Sequence, residues 1–173
     1  SRNNLFRINQ FISTTAIGIV PVLHRTHPTT PRESAMNDRR IDLAALVLRL
    51  TLGTVLIAHA LLKLVVFTPA GTAAFFQKIG LPGPLAYLVI AAELAAGIAI
   101  VLGWRTRLAA IAVAPILFGS ALPHLPNGWL FSAAGGGWEY SAFLGFTAIA
   151  VALLGEGRYA IGRTAATPRA VTA

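Results

Sequence analysis

The sequence predicts an all-α polytopic membrane protein, an antiparallel four-helix transmembrane bundle with both termini in the cytoplasm (N-in/C-in). Three observations carry this reading. Hydrophobic residues make up 55% of the 173-residue chain and charged residues only 12%, about half the share usual in a soluble domain. A water-soluble protein this small has too much surface for its volume to hide that many apolar groups, so lipid is the expected solvent. Four apolar runs follow one another, separated by Gly- and Pro-rich or basic breaks. Finally, the basic residues gather in alternate breaks, as the positive-inside rule requires.

Residues 1–35 read as a disordered leader lying upstream of the native start. Their apolar stretch, residues 11–23, would rise only about 20 Å as a helix, short of a hydrocarbon core of about 30 Å. No small-residue cleavage site follows it. The single methionine, Met36, opens the basic segment Met36-Asn37-Asp38-Arg39-Arg40 and is the expected first residue. The membrane domain then covers residues 36–163. Its first helix spans about 41–67, with Asp42 at its edge and Arg49, His59 and Lys63 inside it. Pro69, Gly71, Gly80, Pro82, Gly83 and Pro84 break the chain afterwards. Within that break a short interfacial helix over 73–79 is expected, turning Phe75 and Phe76 to lipid. The second helix, about 85–103, carries one charge, Glu93. The third, about 107–122, contains Pro115, which predicts a kink, and stops at Pro123. A Gly- and Pro-rich loop leads to the fourth, about 138–155, and residues 164–173 form a flexible cytoplasmic tail.

With the N-terminus inside, Arg39, Arg40, Arg105, Arg107, Arg158, Arg163 and Arg169 are all cytoplasmic, and the outer loops hold only Lys78. The same distribution accounts for the net charge of +8 without nucleic acid as a partner. Cysteine is absent, which excludes disulfides, thiolate catalysis, iron–sulfur ligation by this chain and c-type haem attachment. Any redox group must therefore be borrowed.

Ionisable groups in a bilayer are costly, about 2.5–3.5 kcal/mol each on insertion scales, so each one needs a reason. At about 100° per residue, Arg49, His59 and Lys63 fall within one face of the first helix roughly 80° wide. That face must point into the bundle. Arg49 and Glu93 are expected to form a buried ion pair, from a depth difference of about 7 Å. His59, Lys63, His124, Asn127, Glu139 and Tyr140 should gather in the outer half and suit a small polar ligand or a quinone head group. The blander reading of that cluster is that its members cap helix ends and anchor the outer loop. Two histidines and a carboxylate can hold zinc or iron, yet no metal-ligand spacing is present, so neither a metal nor bis-histidine haem through His59 and His124 is expected.

Several stretches resemble the DoxX family of bacterial membrane proteins. They are Leu48-Arg49-Leu50 through His59-Ala60-Leu61-Leu62-Lys63-Leu64, Gly80-Leu81-Pro82-Gly83-Pro84, Ala92-Glu93-Leu94, and Leu102-Gly103-Trp104-Arg105-Thr106-Arg107. Further along come His124-Leu125-Pro126-Asn127-Gly128-Trp129, Gly136-Gly137-Trp138-Glu139-Tyr140 and Leu154-Gly155-Glu156-Gly157-Arg158-Tyr159. The resemblance covers about residues 40–163 and implies a four-helix protein of the bacterial inner membrane, linked to redox work. On that basis the expected function is membrane subunit of a quinone-linked oxidoreductase system or redox-defence complex. Lipid is then the first partner, and a soluble redox enzyme and a second copy of the chain stand as further ones. The alternatives are a non-catalytic anchor that recruits a soluble enzyme and a small transporter.

Overall fold

The computed structural model describes residues 30–161, and every regular element among them is helical. In chain order these are α1 (Pro31–Leu61), a single π-helical turn (Leu62–Val66), α2 (Pro69–Lys78), α3 (Leu85–Leu102), α4 (Thr106–Gly119), a 3-10 turn (Leu122–Asn127) and α5 (Glu139–Leu154). The expected leader up to residue 29 and the expected tail lie outside the described residues. Two helical stretches, Pro31–Val66 and Leu85–Leu102, are long and apolar enough to cross a membrane, and α4 and α5 are shorter apolar helices.

The chain divides into two compact units between Ser34 and Ala35. The described part of the first is a reciprocal cap. The Thr30 hydroxyl accepts from the Glu33 N–H, and the Glu33 carboxylate accepts from the Thr30 N–H at 2.9 Å. With Pro31 at the first helical position, this cap starts α1 ten residues ahead of the apolar run at Ile41.

The second unit holds the core. Leu52 and Leu56 of α1, Ala96 and Ile100 of α3, Ala110, Val113 and Leu117 of α4, and Leu144, Ala148 and Val151 of α5 form one buried cluster. The outward faces are apolar as well: Val47, Leu88, Ile111, Phe143 and Leu153 are all exposed. Apolar residues on both sides of a helix are the pattern expected where lipid replaces water.

Without a hydrophobic drive between helices in lipid, close packing of small residues must hold them together. Gly53 of α1 and Gly97 of α3 supply it. A methyl on Gly53 would lie 2.6 Å from Val101 Cγ2 and 2.8 Å from the Gly97 carbonyl oxygen. One on Gly97 would lie 3.0 Å from the Gly53 carbonyl oxygen. The contact also sets the antiparallel register of the pair, which brings Arg49 beside the C-terminal turn of α3.

Arg49 closes that end. Its Nε donates to the Ile100 carbonyl at 3.0 Å, Nη2 to Val101 at 3.1 Å, and Nη1 to the Glu156 carbonyl beyond α5. Arg49 is 1% exposed and meets the carbonyl groups a helix C-terminus leaves unpaired, where the helix dipole favours a cation. Gly103, at φ +75°, ends α3 in the left-handed region, and a Cβ there would come within 2.6 Å of Arg49 Nη2. Arg107 Nε donates to the Ala152 carbonyl at 3.0 Å, and the Arg158 N–H donates to Asp42 at 2.9 Å. The charged side chains of Arg49, Arg107 and Asp42 thus tie this end of the helices together.

Candidate functional site

The opposite end of the same helices frames a partly open cavity of about 1050 Å³. Its walls come from the end of α1 and the π turn, from α2, from α3, from the C-terminal half of α4, and from the 3-10 turn, the loop after it and α5. Most of the lining is apolar, including Val55, Phe67, Phe75, Phe76, Val89 and Leu144. Pro115 lies inside α4 and also faces the cavity.

Into this apolar space project Lys63, Glu93, His59, Tyr140 and His124. Lys63 sits in the π turn, where the Phe67 N–H bonds to the Leu62 carbonyl at 2.9 Å. Such turns insert an extra residue and recur at functional sites. Lys63 Nζ lies 2.5 Å from both carboxylate oxygens of Glu93. Both residues line the cavity; the Glu93 side chain is 5% exposed and that of Lys63 21%, so Lys63 is the more accessible half of the pair.

The expected Arg49–Glu93 pair is therefore corrected: Glu93 pairs with Lys63, and Arg49 serves carbonyl groups about two turns further along α3. The reason is the direction in which helical side chains lean. All point back toward their own N-terminus. With α1 and α3 antiparallel, Arg49 leans away from Glu93, whereas Lys63 and Glu93 lean toward each other. Ile57, like Gly53, lies against Gly97, so Glu93, one turn earlier in α3, meets α1 beyond Ile57, more than eight residues or about 12 Å from Arg49. That exceeds the 7 Å expected from sequence.

His59 Nδ1 is 2.9 Å from the Val55 carbonyl one turn earlier, and the ring stacks on Tyr140 with centroids 5.9 Å apart and planes 26° apart. A carbonyl can only accept, so Nδ1 is the donor in this contact, and Nε2 is left for a second partner. His124 repeats the arrangement, with Nδ1 3.1 Å from the Gly135 carbonyl. Phe131 packs on the other side of Tyr140 at 5.5 Å.

Asn127 and Glu139, expected in the same cluster, instead brace the loop between α4 and α5. Asn127 Nδ2 donates to the Gly135 and Gly136 carbonyls at 3.0 and 2.9 Å, and Glu139 accepts from the Phe131 N–H at 2.7 Å. A loop outside regular structure must find partners for its backbone groups, and these two side chains provide them. The blander reading fits them.

Sequence reasoning missed α2 as part of the site. Phe75 and Phe76 were expected to face lipid; both line the cavity. α2 begins after Thr68, which adopts φ +62°, a sparsely populated conformation for a non-glycine residue. Its hydroxyl accepts from the Gly71 N–H at 3.1 Å, and Thr72, buried behind it, donates to the Thr68 carbonyl at 2.9 Å. The Thr68-Pro69 pair at a helix start was the available clue. Among the described residues no three His, Asp or Glu side chains converge as metal ligands would.

The family model DoxX matches residues 44–125, a range that includes Arg49, His59, Lys63, Glu93 and His124. A protein of Bacillus subtilis (strain 168), named "Putative oxidoreductase CatD", is 30% identical over 119 residues, covering 69% of this chain and 84% of that one. No solved structure matches significantly. The ordered motifs, the apolar helices and the coverage of that relative lead to one assignment: the chain belongs to the DoxX family of membrane proteins.

Proposed function

We propose that this protein is the membrane subunit of a quinone-linked oxidoreductase system, crossing the bacterial inner membrane four times with both termini in the cytoplasm. The observation that carries the reading is the cavity: a large apolar chamber with a hydrogen-bonding cluster at its wall. Its volume of about 1050 Å³ lies just above the range of about 300–1,000 Å³ usual for ligand pockets. The donor set fits a quinone. Tyr140 supplies a phenolic donor, His59 Nε2 accepts from a hydroxyl or donates to a carbonyl once protonated, and the aromatic walls suit a prenyl tail. A quinone would supply the electron-carrying group that a cysteine-free chain lacks. The chain's own residues would orient the head group, keep water away and hold a proton at His59. The name of the Bacillus subtilis relative supports redox work, and the electron source would be a soluble partner enzyme.

The four-span topology draws on the basic ends already described, with Arg105, Arg107 and Arg158 on the side closed by Arg49. α4 and α5, with 14 and 16 residues, are short for a core of about 30 Å, and the 3-10 turn and the loop before Glu139 would complete their crossings.

The test is the quinone content of protein purified from membranes in mild detergent. Quinone should co-purify near one per chain with the wild type and fall severalfold in His59→Ala and Tyr140→Leu. A wild type that carries no quinone and binds none saturably would end this reading. A stoichiometric soluble partner found without any ligand would favour the anchor.

A further inference from the structure

The cavity holds only two charged side chains among the described residues, and each neutralises the other. Lys63 is the exposed member and could in principle greet an anionic head group; Glu93, lying 2.5 Å away through both oxygens, already occupies it. An anion entering would have to displace or share the ammonium beside a buried carboxylate. Like charges placed together in a desolvated site cost several kcal/mol. A cation would meet the ammonium itself. We infer that the Lys63–Glu93 pair sets the charge selectivity of the cavity, so that it takes neutral amphiphiles and refuses both anionic and cationic ones.

This rests on the reading of the cavity as a ligand site and goes beyond it. It assigns a specificity role to a pair that makes no other polar contact, and it names the class of ligand by charge. The pair also accounts for the cost of carrying ions in an apolar wall. An apolar pair of similar volume would be as stable or more so, so stability alone does not account for these two ions.

The experiment is equilibrium binding to the full chain in phosphatidylcholine nanodiscs, with partitioning into empty discs subtracted. Three probes share a long tail and differ in head charge: decylubiquinone, oleate and dodecylammonium. The wild type should bind decylubiquinone at least tenfold more tightly than either ion. Glu93→Gln frees the ammonium and should gain at least tenfold for oleate. Lys63→Gln frees the carboxylate and should gain at least tenfold for dodecylammonium. Because the two variants unbalance the site in opposite directions, either one that folds is decisive, and the wild-type preference needs neither. Equal affinity of the wild type for decylubiquinone and oleate overturns the inference, as does an unchanged preference in a folded single variant. A wild type that binds none of the three overturns the ligand-site reading itself, so the two failures are distinguishable.

Discussion

The contact between Gly53 and Gly97 makes a prediction that geometry fixes closely. In Gly53→Ala the new methyl would stand 2.6 Å from Val101 Cγ2, 2.8 Å from the Gly97 carbonyl oxygen and 3.1 Å from the Val101 nitrogen. Two of these three atoms are backbone, so rotamer changes cannot clear the space and α1 must move off α3. Overpacking of this kind costs about 1–3 kcal/mol. Replacing a mid-helix glycine by alanine returns about 0.5–1 kcal/mol. The net loss is about 1–2 kcal/mol, or a fall in Tm of about 5 °C at roughly 2–4 °C per kcal/mol for a chain of this size. Gly119→Ala is the control, since a Cβ there meets nothing within 4 Å; its Tm should hold or rise slightly. The assay is thermal unfolding of both variants in the same detergent, followed by circular dichroism. Equal Tm for Gly53→Ala and Gly119→Ala would refute the claim that this register depends on close backbone approach.

Two further predictions follow from the closed end. Arg49→Met leaves the Ile100, Val101 and Glu156 carbonyls without their shared donor; at about 1.5–3 kcal/mol for each charge-assisted bond, it should lower stability by more than about 3 kcal/mol. Arg49→Lys should recover only part, because an ammonium cannot span three acceptors as a guanidinium does; thermal unfolding that ranks the two variants equally would sink this. Reporter fusions should place the Arg105–Arg107 turn in the cytoplasm and the loop at Asn127 outside it; a fusion active outside at Arg105 would overturn the N-in/C-in topology.

Much of the fold was legible because lipid imposes simple rules. Apolar length marks α1 and α3, and Gly103 marks the end of α3 through its left-handed conformation. What sequence could not place was the start of α1. The Thr30–Glu33 cap extends that helix through charged residues, because capping and length hold a helix together even where no apolar stripe exists. Nor could sequence bring Phe75 and Phe76 of α2 into the site. A short segment rich in apolar residues reads equally well as an interfacial helix or a cavity wall until its neighbours are known.

The site was legible in composition and not in pairing, and the reason is instructive for any helical membrane protein. Arg49, Lys63 and Glu93 were identified as residues that must avoid lipid, which hydropathy alone can say. Which cation meets Glu93 depends on two quantities absent from a helical wheel: the antiparallel register and the backward lean of side chains along each helix. Gly53 and Gly97 set the first, and the second then excludes Arg49 regardless of its longer reach. Arg49 spends three of its five N–H donors on carbonyls at the far end of α3 and beyond α5, out of reach of Glu93, and Glu93 would be a bare buried charge without Lys63. The two cations are thus assigned by geometry to different work. The planar fork closes the ends of α3 and α5, and the flexible ammonium, carried on a π turn, is left at the wall of the cavity, where its charge can be felt by whatever enters.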